Sequence, residues 1–317
     1  MPLAILHSPE AWITQFGASR EDTSLTIGNF DGVHLGHQKI IGAVVEKARG
    51  CHLKSAVVTF DPHPSKVLKP DSAPTMLESI DQRCRHFADL GVDAVLILKF
   101  EATFAAVSAE EFVRRYLVEA LRAREVFVGA NFRFGQKQRG DVALLQALGH
   151  EADFAVNIVE PKTVDGETVS SSAIRQALRD GRVVDAERML GRPFALDGEI
   201  VSGTGIGRKL VVPTLNLKTA QETLPKGGVY VTQSTLNGST YGSVTNIGMR
   251  PTFDGTKLAI ESYLFEFSEH VTRGPLEVKF LQRLRDEQKF AGPDALRTQV
   301  QQDIERAKTL YTELQTQ

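Results

Sequence analysis

His34 and His37 flank Gly36 in the segment TIGNFDGVHLGH, residues 26–37. Each imidazole can donate a hydrogen bond to a phosphate oxygen, and a protonated ring adds charge. Gly28, Gly32 and Gly36 permit a tight path and close approach of backbone to a ligand. The segment follows a strand-like run and leads into a helical one, and a helix start offers N–H donors and a positive dipole end to an anion. Two histidines at this spacing also occur as surface or metal-binding residues, but no third ligand cluster accompanies them to hold zinc.

A second segment, VSSSAIR, covers Val169–Arg175. Ser170, Ser171 and Ser172 can bond phosphates or cap a helix, and Arg175 can fork onto a phosphate or face solvent. The strand, the glycine turn, Asn29, Phe30, Asp31 and the two histidines together resemble the nucleotidylyltransferase signature. In that superfamily the two histidines bind ATP phosphates, and VSSSAIR resembles its second phosphate motif. No protein nucleophile stands out here. None is needed where a substrate phosphate attacks the α-phosphorus of ATP, because catalysis is then positioning and charge stabilisation. Two loops are candidates to hold the acceptor. One is FDPHP, with Asp61 and His63, stiffened by its prolines. The other is VGANFRFGQKQRGD, residues 128–141, where Asn131 and Arg133 alternate with Phe132 and Phe134. That alternation suits a planar ligand, or else an ordinary loop with buried phenylalanines.

The rear of the chain carries GTGIGRKLVVPTLN, residues 203–216. Gly203, Gly205 and Gly207 can form a flap over phosphates, or simply turns. Thr214 and Asn216 are two apart, so in a strand they face the same side. Their oxygens suit Mg²⁺, a hard ion, although routine polar residues of a half-exposed strand would look the same. Glu261 opens the run ESYLFEF. A carboxylate there can accept a hydroxyl proton during phosphoryl transfer, or be solvated.

The secondary structure around these groups follows from the apolar pattern. Runs at 24–28, 55–60, 94–98, 126–129 and 154–159 read as buried strands. Helical runs at 36–49, 78–90 and 108–121 lie between them, with capping boxes expected at Thr75/Glu78 and Ser108/Glu111. Apolar strands separated by helices indicate a parallel sheet covered on both faces, with ligands at the strands' carboxyl ends. From about residue 195 the texture changes to Val, Thr, Tyr and Phe with frequent turns. Asn237-Gly238 signals a hairpin, and Asp254-Gly255 a second turn. Strands at 229–236, 241–247, 258–267 and 276–284 then form an antiparallel sheet or small barrel. A helix over 294–314 carries Leu296, Val300, Ile304, Ala307 and Leu310 on one face. Val183–Leu190 reads as a connecting helix, which puts the domain boundary at 182/183.

The 317 residues are 42% hydrophobic and 24% charged, as in globular proteins, and the length favours two domains. A net charge of −2 argues against a nucleic-acid partner. No apolar run approaches the ~18 residues of a membrane span, and the N-terminus lacks the pattern of a signal peptide. Two cysteines are too few for a disulfide framework and read as reduced thiols of a cytoplasmic protein. The sequence leaves the oligomeric state open.

Over nearly its whole length the chain resembles the bacterial bifunctional riboflavin kinase/FAD synthetase family. The likeness runs in order through TIGNFDGVHLGH, TFDPHP, VGANFRFG with RGD, VSSSAIR, GTGIGRKLVVPTLN, NIGMRPTF, ESYLFEF and LRDEQKF. The resemblance implies a Rossmann-like α/β nucleotidylyltransferase domain at 1–182. A riboflavin kinase β-barrel with a C-terminal helix follows at 183–317. It implies two reactions: ATP phosphorylates riboflavin to FMN, and a second ATP adenylylates FMN to FAD with release of pyrophosphate. It also implies Mg²⁺ as cofactor. By resemblance His34, His37, Ser171, Ser172 and Arg175 contact ATP phosphates, and Gly28, Asn29, Phe30 and Asp31 shape that site. Asp61, His63, Asn131 and Arg133 lie near the flavin. Gly203, Gly205, Gly207, Thr214 and Asn216 bind the second ATP and its Mg²⁺, and Glu261 is the general base on the ribityl 5′-hydroxyl. Departures from the family pattern are Asp61 for glutamate, Leu215 for alanine, and Ser172 and Ala173 for threonine and arginine. Thr214, Asn216 and Glu261 argue against a single-activity nucleotidylyltransferase, and the intact phosphate motifs argue against a non-catalytic flavin binder.

Overall fold

The computed structural model describes residues 2–17, 21–201, 212–252 and 255–316. The chain divides into two compact units, Met1–Ser171 and Ser172–Gln317. The first contains β1 (Ala4–Leu6), α1 (Pro9–Phe16), β2 (Thr23–Ile27), α2 (Leu35–Cys51), β3 (Lys54–Asp61) and α3 (Pro64–Leu68). It continues with α4 (Ile80–Asp89), β4 (Ala94–Lys99), α5 (Ala102–Ala105), α6 (Ala109–Phe112), a π-helical stretch (Val113–Ala120) and β5 (Ala123–Gly129). Then come α7 (Val142–Glu151), β6 (Ala155–Val159) and the two-residue strands β7 (Thr163–Val164) and β8 (Glu167–Thr168).

Six strands form one sheet in the order β1-β4-β3-β2-β5-β6, and every pairing is parallel. Strand β2 is buried at all five positions, as a central parallel strand must be when both faces are covered. Leu25 and Ile27 face one core, with Phe112, Leu117 and Leu145. Val57, Val95 and Ile97 face the other, with Ile41 and Val45 of α2 and Phe87 of α4. Helix α2 fits because Ile41, Val44, Val45 and Ala48 recur at helical spacing on one buried face. After β4 the chain crosses back to place β5 on the other side of β2. The carboxyl ends of β2 and β5 therefore flank a topological switch point, where open α/β sheets bind ligands.

Two expected details shift. The capping box at the start of α4 is Ser79 with Gln82, at 3.2 and 2.9 Å, not Thr75 with Glu78. The reason is tertiary. The Glu78 N–H donates to Asp31, and the Glu78 carboxylate pairs with His86 at 3.2 Å, so residues 75–78 stay outside the helix. At 108–121, Ser108 does cap the Glu111 N–H at 3.1 Å, but the Glu111 carboxylate pairs with Arg114. From Val113 the helix winds in π form.

The second unit holds α8 (Ser171–Arg179), α9 (Val183–Leu190), β9 (Phe194–Val201), β10 (Leu215–Lys218), β11 (Gly228–Leu236), β12 (Ser239–Thr252), β13 (Gly255–Leu264), β14 (Pro275–Arg285) and α10 (Pro293–Gln315). Helix α8 begins one residue before the division. Six of the strands close into an antiparallel barrel in the order β10-β13-β12-β11-β14-β9. Asn237 and Gly238 turn β11 into β12 with φ of 50° and 82°, the left-handed pair a two-residue hairpin needs. Asp254 lies outside the described residues. Inside the barrel a ladder of fully buried hydroxyls runs Ser234–Ser243–Thr232–Thr245–Ser262, each step 2.7–2.8 Å. The outer face meets α10, whose Val300, Ile304, Ala307 and Leu310 pack on Val229, Val231 and Val244.

Candidate active sites

The turn after β2 is strained and heavily anchored. Phe30, Gly32 and Val33 have φ of 49°, 85° and 32°. For a β-branched residue such as Val33 that is an outlier, of a kind held only where surrounding structure over-determines it. Asp31 supplies one anchor: its carboxylate accepts the N–H groups of Leu77 and Glu78 at 3.0 and 3.3 Å. Its carbonyl accepts Ser171 Oγ at 2.9 Å, so the last residue of the first unit is bonded to this turn. Buried Asp31 is thus committed to holding the loop.

His34 is 6% exposed and caps α2. Its Nδ1 accepts the His37 N–H at 3.3 Å. An accepting Nδ1 puts the proton of the neutral ring on Nε2, so that atom is the donor. The two imidazoles stack with centroids 3.6 Å apart and planes at 16°, and Phe30 meets the His37 ring edge-on at 5.2 Å. A Cβ on Gly36 would stand 3.2 Å from the His34 ring, so glycine there lets the cap close.

Gly28 and Asn29 also line a cavity of about 610 Å³ at the switch point. Phe60, Phe100, Phe104, Phe112, Phe132 and Phe134 supply aromatic walls, and Asn131, Arg133 and Lys137 supply polar ones. Phe132 and Phe134 stack at 5.5 Å with planes at 15°. Phe134 packs on into Phe112 of the core at 5.9 Å, so the alternation of 131–134 serves cavity and core together.

In the barrel, Glu261 of β13 pairs in register with Asn216 of β10 on one side and Asn246 of β12 on the other. Directly opposed residues share a face. Thr214, just before β10, lies 3.4 Å by Oγ1 from Glu261 Oε1. Glu261 and Thr214 both line a cavity of about 420 Å³ beneath α10, walled by Val229, Val244, Tyr263, Phe290 and Val300. Thr214 also lines a second cavity of about 310 Å³ with Pro213, Phe267 and His270. Arg285 of β14 grips Asp303 of α10 with Nε at 3.0 Å and Nη2 at 2.7 Å, fastening the helix over the larger cavity.

The chain matches the FAD synthetase family over residues 17–173 and the riboflavin kinase family over 190–311. A bifunctional riboflavin kinase/FMN adenylyltransferase from Haemophilus influenzae is 35% identical over 289 residues, 91% of this chain and 94% of that protein. Proteins of the same name from Escherichia coli and Pseudomonas fluorescens are 36% and 38% identical over 93% and 90% of this chain, and 94% and 92% of theirs. The chain belongs to the bifunctional riboflavin kinase/FMN adenylyltransferase family. It carries both activities, with riboflavin, FMN and ATP as substrates and FMN and FAD as products. A crystal structure of a Streptococcus pneumoniae protein named macrolide-efflux protein superposes with a TM-score of 0.86 at 29% identity, covering 97% of this chain and 99% of that one. Among the described residues no helix is long and apolar enough to cross a membrane.

For a member of this family, the expected site residues fall into clear groups. His34, His37 and Gly36 meet at the mouth of α2, while Gly28 and Asn29 reach the aromatic cavity. Ser171 touches the turn. Ser172 and Arg175 follow on α8, the first exposed and the second buried. Asn131 and Arg133 line the aromatic cavity. Asp61 is exposed, and His63 caps α3 by accepting the Ser65 N–H at 3.2 Å, so Pro64 rather than either of them reaches that wall. Gly203, Gly205 and Gly207 lie outside the described residues. Sequence reasoning passed over Asn246, Arg285 and Asp303. The LRDEQKF segment holds Arg285 but does not reveal its partner 18 residues on.

Proposed function

We propose that each reaction has its own site, with the division of labour falling at 182/183. The observation carrying this reading is that each unit has its own cavity, one lined by Gly28 and Asn29 and the other by Thr214 and Glu261. In residues 1–182, FMN occupies the aromatic cavity and its phosphate oxygen attacks the α-phosphorus of ATP. Pyrophosphate departs toward the N-terminus of α2. There His34 and His37 donate to phosphate oxygens, with Ser171 bonded to the same turn. In residues 183–317, riboflavin lies under α10 with its ring against the apolar wall. Its 5′-hydroxyl attacks the γ-phosphorus of ATP held in the smaller cavity, and ADP leaves. Glu261 takes the hydroxyl proton, and Thr214, which borders both cavities, stands where donor and acceptor meet.

Mg²⁺ belongs to the same proposal. Thr214 Oγ1 and the Asn216 amide oxygen offer hard oxygen donors, and Mg²⁺ commonly takes few protein ligands together with substrate phosphates. When bound it supplies charge neutralisation for the transferring group. A cytoplasmic location completes the reading, supported by two thiols and by the ATP demand of both steps.

The test is activity of the full chain with riboflavin, ATP and Mg²⁺, followed by separation of flavins. His34→Ala with His37→Ala is expected to stop at FMN. Glu261→Gln is expected to leave riboflavin unphosphorylated while still converting added FMN to FAD. Loss of both activities in each folded variant would refute separate sites.

A further inference from the structure

Arg83 of α4 is 4% exposed, yet it lies beneath the phosphate turn. Its Nη1 donates to the Asn29 carbonyl at 2.8 Å and to Thr59 Oγ1 at 3.4 Å. Thr59 Oγ1 donates in turn to the same carbonyl at 3.3 Å. Its Nε is buried with no hydrogen-bond acceptor among the described residues. Both acceptors of Nη1 are neutral oxygens. A buried guanidinium met this way is a poor device for stability alone, because desolvating the charge is only partly compensated. Departures of this kind from local rules concentrate at functional sites.

The carbonyl it holds is well placed to matter. Asn29 is the last residue before the strained stretch Phe30–Val33. Asn29 also lines the aromatic cavity, and Gly28 before it follows directly from β2. Asp31 fastens the far side of the turn to Leu77 and Glu78, just before the helix that carries Arg83. The turn is therefore gripped at Asn29 and Asp31, and α2 with its two histidines starts from whatever height those grips set.

We propose that Arg83 is a positioning residue for FMN adenylylation. It fixes the Asn29 carbonyl, and through it the seat of the α2 N-terminus against the ATP phosphates. This rests on the assignment of the turn to ATP, so the experiment tests both separately. In the full chain, Arg83→Met and Arg83→Lys are compared with wild type for FAD formation from FMN, with riboflavin phosphorylation as the internal control. Misplacement by about an ångström at a reacting site can cost up to ~10²-fold. Arg83→Met is expected to raise the KM for ATP and lower kcat, reducing kcat/KM for ATP at least about tenfold on that scale. Arg83→Lys, whose ammonium can still reach one carbonyl, is expected to fall between. Phosphorylation of riboflavin is expected to be unchanged.

A merely structural role would lose active enzyme, lowering kcat at constant KM for ATP, and that pattern overturns the proposal. If Arg83→Met does not fold, Arg83→Lys decides: a raised KM for ATP supports the proposal, and wild-type constants overturn it. His34→Ala runs in parallel. Wild-type ATP kinetics in that variant would remove the site assignment itself. Impairment in His34→Ala with none in Arg83→Met removes only the role of Arg83.

Discussion

Replacing Asp303 with alanine should unfasten α10 from the barrel. Its carboxylate accepts Arg285 Nε and Gln299 Nε2 at 3.0 Å and Arg285 Nη2 at 2.7 Å. The two side chains of the pair are 10% and 16% exposed. Breaking a fully buried pair costs about 3–5 kcal/mol, because the remaining charge is stranded. Arg285 keeps a bond to the Asp286 carbonyl at 2.9 Å and some access to water, which lowers the expected loss to about 2–3 kcal/mol. At about 2–4 °C per kcal/mol for a unit of this size, the midpoint should fall by roughly 5–10 °C. Thermal inactivation reads this directly, with FMN formation and FAD formation followed in the same heated samples. The half-temperature for riboflavin phosphorylation should drop, and that for FMN adenylylation should not. A drop under about 2 °C, below the shift that 1 kcal/mol produces even at the lower slope, would refute the clamp. So would an equal drop in both activities.

Two further outcomes follow from side-chain environment. Burial pushes the Cys84 thiol up to about 11, whereas Cys51 is exposed. Thiol titration of the native protein with an aromatic disulfide should read one fast group, abolished in Cys51→Ser, and the second only in denaturant. Two fast thiols would contradict the placement of Cys84. Partial burial pushes the Asp22 carboxyl up, but Arg124 and Arg122 outweigh it and hold it below the usual carboxylate range. A depressed folded value contributes stability that is full above the unfolded value and lost as pH falls through the folded one. Asp22→Asn should therefore lower stability by about 1 kcal/mol at pH 7. The gap should narrow in acid, below the unfolded value of about 3.9. Urea unfolding at pH 7 and pH 3 checks this, and an equal gap at both would contradict it.

The parts of the molecule readable from sequence are those whose cause is local. The β2 strand, its glycine turn and the α2 stripe lie within one stretch of chain, as do the Asn237-Gly238 hairpin and the apolar face of α10. What escaped depends on partners distant in sequence. The three-residue strand β1 is too short to show a period and exists because β4 pairs with it. The capping box moved because the Asp31 carboxylate captures the N–H groups of Leu77 and Glu78. Arg83 lies in the helical run 78–90, whose spacing does not reveal that the fold turns it toward Asn29. Asn246 gains its place beside Glu261 from strand register alone. Thr214 and Glu261 were legible as chemical types, but their 3.4 Å approach is a product of barrel closure.

Titration calorimetry with a non-hydrolysable ATP analogue and Mg²⁺ asks most directly whether one chain holds two triphosphate sites. Wild type should bind two equivalents, and the His34→Ala, His37→Ala variant should bind one while still phosphorylating riboflavin. A single equivalent in wild type, or loss of all binding in that variant, would contradict the account.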